Sequence, residues 1–433
     1  MGYEIALVFV VFLAASAIRM PIGFSMLCSG VLYLFLVGQD PGLLSEQVLN
    51  NFFKSFVLLS VPLFIFAANI MNAGSISDRL FEFAILLVGR LRGGLAHVNV
   101  LTSLIFSGMS GSAIADVAGP GKLMIEMMIA KKRFDPAFAG ALTAASATIG
   151  PIIPPSIPIV IYGLVSSTSV GYLFLGGIIP GIFMAASLML VVGIIARRRE
   201  FPVEPPVKLP EAVKTTRMAL PALFLPGILL GGIYSGAMTP TEAAAVAGAY
   251  ALVLAMFFYR TVRLAKLIDV LVESSRSTAI VAITIAGAFM FNYIVASEQL
   301  PNAIGELLTE LDMPPLMFFI LVNFLFLFLG LFLDVLTSLL IIVPMLMPSI
   351  NALGIDTVHF GIVIVINMMI GLITPPYGEL LFIINGLTGI PINRMIREVL
   401  PFLAVLITAM FLMVFFPIIV LWLPMQFGYE PAG

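Results

Sequence analysis

The sequence predicts an all-α polytopic membrane protein whose chain is folded twice. Three observations carry that expectation. Hydrophobic residues make up 61% of the 433 positions and charged residues 10%, with a mean hydropathy of +1.15, whereas a soluble domain is roughly 45–50% apolar and about 25% charged. The apolar residues fall in runs long enough for membrane helices, which need about 20 residues, and not in the short alternating segments of a barrel. Finally, a proline-rich interruption of an apolar run, GPIIPPS at 150–156, returns as GLITPPYG at 371–378.

In chain order, apolar runs cover 4–18 and 22–38. The opening stretch MGYEIALVFVVFLAASAIRMPIG has an acid before its apolar run and Arg19 after it. That is the reverse of a signal peptide, and it reads as a first helix with its N-terminus outside and Arg19 in the cytoplasm. SEQVLNNFFKSF follows, with helical periodicity and mixed polarity, as an interfacial helix has. Runs at 56–73, 80–112, 137–165 and 171–196 lead to the polar stretch ARRREFPVEPPVKLPEAVKTTR. Basic at both ends and proline-rich at its centre, it is expected to be a cytoplasmic linker over 197–216. Beyond it come runs at 217–233 and 242–259, a second mixed-polarity stretch AKLIDVLVESSRS, and runs at 278–296, 315–350, 358–387 and 400–423.

The halves on either side of the linker correspond. Pro154-Pro155 and Pro375-Pro376 lie 221 residues apart, as do Gly150 and Gly371, and Pro180 and Pro401. Gly108 and Gly330 are separated by 222, and Met20-Pro21 and Thr239-Pro240 by 219. Matches at nearly constant offset make a repeat of about 220 residues. The charges make it inverted. Arg19 marks the first helix–helix turn as cytoplasmic, while the matching turn YSGAMTPTE has no Lys or Arg and is flanked by Arg197 to Arg199 on one side and Arg260, Arg263 and Lys266 on the other. Inverted repeats with discontinuous helices are a pattern of secondary transporters.

A proline inside a membrane helix removes a donor and displaces a carbonyl, which hydrocarbon does not tolerate unless the freed groups line a cavity or bind a ligand. Freed carbonyls suit a cation, and the helix half that follows offers N–H groups to an anion. The segments expected to pair with the breaks are FSGMSGSAIADVAGPGK at 106–122, too small and glycine-rich for a uniform span, and GLFLDVLTSLLIIVP at 330–344. The first carries Ser107, Ser110, Ser112 and Asp116, the second Asp334, Thr337 and Ser338. An intramembrane carboxylate is a functional candidate; Asp334 sits in strongly apolar sequence, Asp116 could cap a helix start, and Glu379 lies just beyond the second Pro-Pro. Asn367 and Asn385 read as packing hydrogen bonds.

Other classes are poorly served. A net charge of −2 gives no reason for a nucleic-acid partner. Cys28, the single cysteine, precludes an internal disulfide and is expected to be a small buried side chain. His97 and His359 are far apart, no Cys/His cluster has metal-ligand spacing, and no Walker motif is present. Asp116 and Asp334 could be imagined as a hydrolytic acid pair, but nothing else supports an enzyme. Two occluded ion sites suit alternating access better than a channel.

The stretches SVPLFIFAANIMNAG, FSGMSGSAIADVAGPG, ATIGPIIPPS, GGIIPG and GLITPPYG resemble, in order and at matching intervals, motifs of the large membrane subunit of tripartite ATP-independent periplasmic (TRAP) transporters. The resemblance covers nearly the whole chain. It implies an elevator-type fold and sodium-driven import of small organic acids across a bacterial inner membrane, with no cofactor and Na+ as the coupling ion. It also implies a small four-helix membrane subunit and a periplasmic substrate-binding protein as partners, and both termini in the periplasm. A stand-alone sodium/dicarboxylate or citrate carrier is the alternative. On the family pattern, sodium site 1 would use Ser107, Gly108, Ser110, Gly150, Ile153 and Pro154, and site 2 Gly330, Gly371, Thr374 and Tyr377. Substrate would lie among Ser112, Asp116, Pro155, Ser156, Asp334, Thr337, Pro376, Gly378 and Glu379. TPPYGELLF departs from the pattern, in which a small or aliphatic residue follows the second Pro-Pro and an asparagine follows soon after the glycine. The implied organisation is scaffold helices and arm at 1–79 and 217–300, transport-domain halves at 80–196 and 301–399, and a C-terminal helix and tail at 400–433.

Overall fold

In the computed structural model the described residues are 3–74, 76–130, 133–203, 208–310 and 313–431, and they are helical with no strand among them. The first half holds α1 (Tyr3–Ala17), α2 (Ile22–Leu36), α3 (Gly42–Lys54), α4 (Ser60–Ala73), α5 (Ile76–Val88), α6 (Gly94–Ser110), α7 (Ala113–Asp116), α8 (Lys122–Ile129), α9 (Pro136–Ala147), α10 (Ile157–Ser166) and α11 (Val170–Arg198). The second holds α12 (Leu209–Tyr234), α13 (Pro240–Val253), α14 (Leu264–Ser297), α15 (Leu300–Glu310), α16 (Pro315–Leu329), α17 (Val335–Ala352), α18 (Thr357–Gly371), α19 (Glu379–Thr388), α20 (Ile392–Phe415) and α21 (Ile418–Gln426). Among the described residues seven helices are long and apolar enough to cross a membrane, and six shorter apolar helices accompany them.

Two packed groups organise these elements. Helices α1, α2, α4, α12, α13 and α14 pack on one another, with α3 laid against α14. Helices α6 to α11 and α16 to α21 form the other group, in which α9 packs on α6, α8 and α20, and α10 on α17 and α18. The contact surfaces between the groups run through α4 and α12 against α6, and α14 against α17.

The interruptions fall where the sequence places them. α6 ends at Gly111, whose φ of +59° is a left-handed value that glycine adopts without strain, and a Cβ there would collide with the Pro155 carbonyl. Ser112 then caps α7, accepting from the Ala115 amide at 3.3 Å. The chain continues through a π-helical turn, Val117–Gly121, into α8, which closes the first hairpin. The second hairpin turns over 330–334, and Asp334 caps α17 by accepting from the Thr337 amide at 3.1 Å. Ser112 and Asp334 are 222 residues apart, so the same structural position recurs. Between α9 and α10, and again between α18 and α19, the chain is irregular around the two Pro-Pro pairs, both of which are cis.

Four expectations need correction. The linker of 197–216 is shorter: α11 runs through Arg198, and α12 starts at Leu209, so polar residues on both sides are helical; 204–207 lie outside the described residues. The second arm is not separate, because AKLIDVLVESSRS opens the 34-residue α14 and runs without a break into the apolar stretch. Cys28 is exposed on the face of α2; an apolar membrane helix has an outer surface that is also apolar, so residue type does not tell inside from outside. Asp116 does not cap a helix start, since Ser112 holds that position and Asp116 ends the first turn.

Candidate functional site

Each hairpin tip packs on one helix break. At the first, Gly108 faces the Pro154 carbonyl, with 3.8 Å between that oxygen and a Cβ built on the glycine, and a Cβ on Gly150 would lie 3.5 Å from the Ser112 carbonyl. At the second, a Cβ on Gly371 would lie 3.0 Å from both the Cα and the carbonyl oxygen of Gly330. At the second break the paired glycines let the two backbones approach this closely, whereas at the first the spacings are ordinary contact and Gly108 lies nearest the Pro226 ring of α12.

The exposed backbone there has the chemistry of a cation site. Among the described residues, the carbonyls of Gly150, Ile153 and Pro154 accept no hydrogen bond, and neither do those of Gly330, Thr374 and Tyr377. The Gly371 carbonyl accepts only from the Thr374 amide, at 3.1 Å. Ser107 is buried and donates to the Leu104 carbonyl at 2.6 Å, which leaves its lone pairs open. The Ser110 hydroxyl is buried with no hydrogen bond. Thr374 donates to the Ile370 carbonyl at 2.7 Å, again leaving lone pairs open. Such all-oxygen sets of carbonyls and hydroxyls are the kind of donors that a hard cation takes.

Beside the tips lies a cavity of about 680 Å³. Ser110, Gly111 and Ser112 line it from the first hairpin, Asp334 and Val335 from the second, Pro151, Ile157 and Pro158 from the first break, and Glu379 from the second. The other helix group contributes Asn69 and Asn72 of α4 and Glu273 and Ser277 of α14. No Lys, Arg or His is among the described lining residues. Asn69 and Asn72 stand on the last turn of α4, where Lys266 donates to the Ala73 carbonyl at 2.7 Å and Thr261 to the Gly74 carbonyl at 2.7 Å. The cavity therefore reaches toward the end of the molecule that carries Arg260, Arg263 and Lys266. At the opposite end, Thr241 donates to the Phe56 carbonyl at 3.3 Å. There a separate cavity of about 850 Å³ opens among Lys54, Thr168, Tyr172, Tyr234 and Met238.

The expected substrate residues divide. Ser112, Asp334 and Glu379 line the cavity. Thr337 is buried and hydrogen-bonds Asp334 through its amide and its hydroxyl, so it holds that carboxylate in place. Ser156 is buried as the cap of α10, accepting from the Ile159 amide at 3.2 Å and donating to the Pro151 carbonyl. Pro155 packs behind Gly111. Pro376 and Tyr377 are exposed, with Tyr377 against Phe382 at 5.4 Å between ring centroids, and Gly378 is a left-handed turn at φ +50°. Asp116 is 1% exposed and does not line the cavity; packing between α6 and α9 puts it behind the wall. Asn367 donates to Asn323 and Asn385 to the Ile390 carbonyl, both as packing bonds. Sequence reading missed Asn69, Asn72, Glu273 and Ser277. Two asparagines three apart in the apolar run SVPLFIFAANIMNAG were the available signal.

Two helix breaks, each seated on a hairpin tip beside a shared cavity, make this membrane protein a transporter permease and not an enzyme. Residues 9–419 match the family described as tripartite ATP-independent periplasmic transporter, DctM component, and the chain belongs to that family as a large membrane subunit. It is 43% identical over 411 residues, 95% of this chain and 96% of the relative, to the sialic acid TRAP transporter large permease protein SiaM of Vibrio cholerae. It is 40% identical over 400 residues, 92% and 93% of the two chains, to the C4-dicarboxylate TRAP transporter large permease protein DctM of Pseudomonas aeruginosa. Among solved structures, the YdaH transporter of Alcanivorax borkumensis superposes with a TM-score of 0.66 at 17% identity, covering 90% of this chain and 89% of that one, which shows a shared fold.

Proposed function

We propose that this chain imports small organic acids across a bacterial inner membrane, driven by sodium held at the two helix breaks. It takes its substrate from a periplasmic binding protein and works with a small membrane subunit. The carrying observation is the pairing of each hairpin tip with a break whose carbonyls are unsatisfied. The family supports the tripartite assembly over a carrier acting alone, and relatives named for sialic acid and for C4-dicarboxylates support an organic acid. Because the cavity reaches toward the end that carries Arg260, Arg263 and Lys266, we read it as facing the cytoplasm, in an inward-facing state with both termini in the periplasm. The inverted repeat supplies the outward-facing state by exchanging the arrangements of its two halves.

Within that class, the lining favours a monoanion. Asp334, Glu379 and Glu273 all border the cavity with no basic side chain among the described lining residues, so a second carboxylate on the substrate meets like charge. The test is reconstitution of the complex in proteoliposomes with a panel of labelled mono- and dicarboxylates and sulfonates, under inward sodium or potassium gradients. Uptake driven equally well by potassium would refute the sodium reading.

A further inference from the structure

Helix α11 starts beside the second cavity, which Val170, Gly171 and Tyr172 line, and crosses the molecule to end in Arg197 and Arg198. Next to that end is the short turn between α5 and α6, which carries Arg90 and Arg92. All four arginines are exposed. Among the described residues none of them takes part in an ion pair. Their neighbours are neutralised: Arg199 meets Glu398 at 2.9 Å and lies over the Phe138 ring, and Arg394 meets Asp135 at 2.7 Å. Against the four free guanidinium groups, the segments 89–94 and 197–203 hold one acid, Glu200.

The two segments are held together by their backbones. The Gly93 amide donates to the Pro202 carbonyl at 3.1 Å, and a Cβ on Gly93 would lie 2.8 Å from Ala196 Cβ. Arg92 and Arg197 therefore each stand one residue from the same contact. Phe201 pins the far side, with its ring centroid 4.6 Å from Phe134 and 5.1 Å from Phe138. The main chains that bear the four charges are thus fixed relative to one another, and only side chains remain to be ordered when an anion binds. Beside the charge the surface is apolar. Ile182, Ala186, Leu190 and Ile194 are exposed at every fourth position of α11, and Arg198 is next in the same row. Leu87 and Leu91 are exposed on the α5 side. Because α11 is long and apolar enough to cross a membrane, that row faces hydrocarbon and Arg198 stands where hydrocarbon gives way to headgroups.

We propose that Arg90, Arg92, Arg197 and Arg198 bind the phosphate headgroup of an anionic phospholipid whose acyl chains lie along the exposed row of α11. Charge complementarity and position at the membrane surface select this occupant. Guanidinium forks pair with phosphate oxygens two bonds at a time, and clusters of basic residues just outside a membrane helix attract anionic lipid. A zwitterionic lipid brings an ammonium group that the same four charges repel.

The site goes beyond the reading of the chain as an importer and rests neither on sodium nor on motion. The experiment titrates the purified full-length chain, in neutral detergent, with phosphatidylglycerol or phosphatidylcholine and counts the lipids retained by native mass spectrometry. The wild type should retain phosphatidylglycerol in preference to phosphatidylcholine. Each arginine changed to glutamine should weaken phosphatidylglycerol roughly fivefold and leave phosphatidylcholine unchanged, so that Arg90→Gln/Arg92→Gln/Arg197→Gln/Arg198→Gln loses the preference. Equal retention of the two lipids by the wild type, or an undiminished preference in the fourfold variant, overturns the proposal. A parallel titration replaces chloride by inorganic phosphate at the same ionic strength. Persistence of bound phosphatidylglycerol supports the lipid, and its displacement assigns the arginines to a free anion and overturns the lipid site. Should the fourfold variant fail to elute as a single folded species, Arg90→Gln/Arg92→Gln and Arg197→Gln/Arg198→Gln are measured separately. Each should lose part of the preference, and a double variant indistinguishable from the wild type overturns the shared site.

Discussion

Gly330 and Gly371 meet backbone to backbone, with a Cβ on Gly371 placed 3.0 Å from the Cα and the carbonyl of Gly330. Because both sides of this contact are main chain, neither can give way by a rotamer change. Gly371→Ala should therefore push the second hairpin tip off its break. Overpacking of this kind costs roughly 1–3 kcal/mol, which corresponds to about a 5- to 150-fold weaker sodium response. The measurement is the sodium concentration for half-maximal uptake, and a variant with the wild-type value would remove Gly371 from the second cation site.

Asp334 both caps α17 and lines the cavity. Asparagine is as good a cap as aspartate, so Asp334→Asn should leave the melting temperature nearly unchanged while lowering uptake at least tenfold. Asp334→Ala should lose the cap as well, at a cost of about 1 kcal/mol. Equal activity in wild type and Asp334→Asn would show that only the cap matters.

The two helix groups touch near Gly171 of α11 and Ile233 of α12, where a Cβ on the glycine would be 3.5 Å from Ile233 Cγ2. A cysteine Sγ near the place of that Cγ2 would be within reach of a partner at 171 with a small adjustment. With Cys28 changed to Ser, a Gly171→Cys/Ile233→Cys pair should stop uptake on oxidation and restore it on reduction. If a fully cross-linked sample transports normally, the body containing the breaks does not slide against α12, and the elevator is wrong.

A monoanion entering with two sodium ions carries one net positive charge inward. A potential of about 100 mV, inside negative, then adds roughly 2.3 kcal/mol to the drive, beyond about 1.4 kcal/mol per ion for a tenfold sodium gradient. Uptake into proteoliposomes should accelerate when such a potential is imposed at constant sodium. Indifference to potential would point to a dianion.

The parts of the site legible in sequence were those that break a rule locally. Gly111, Ser112 and the Pro-Pro pairs stand out because small, polar or proline residues interrupt apolar runs, and Asp334 because a carboxylate does. What could not be read was direction. Asp116 shares its segment with Ser112 but points behind the cavity wall, and Cys28 faces outward. Hydropathy has no means of telling lipid from protein interior. Nor could the contribution of Glu273 be read, because it comes from a helix distant in sequence and looked like part of a polar surface arm. The start of α12 at Leu209 was hidden for a related reason: a helix that continues out of the membrane loses its apolar signature without losing its hydrogen bonds.

The fusion of the second arm into α14 has a mechanical meaning. With 34 residues and neither proline nor glycine between Leu264 and Ala286, this helix is about 50 Å long at roughly 1.5 Å per residue, well beyond the ~30 Å hydrocarbon layer. Lys266 ties one end to α4, Glu273 borders the cavity, and just past the other end Glu298 accepts from Tyr33 at 2.8 Å. One strut thus spans both faces of the assembly, as a rail does, and its two ends cannot shift independently. The surface that lines the cavity at the basic end and the surface packed on α2 at the far end are held in fixed register. Any body that carries cargo past α14 has a stiff track to move against, and the length of its stroke is bounded by a single uninterrupted helix.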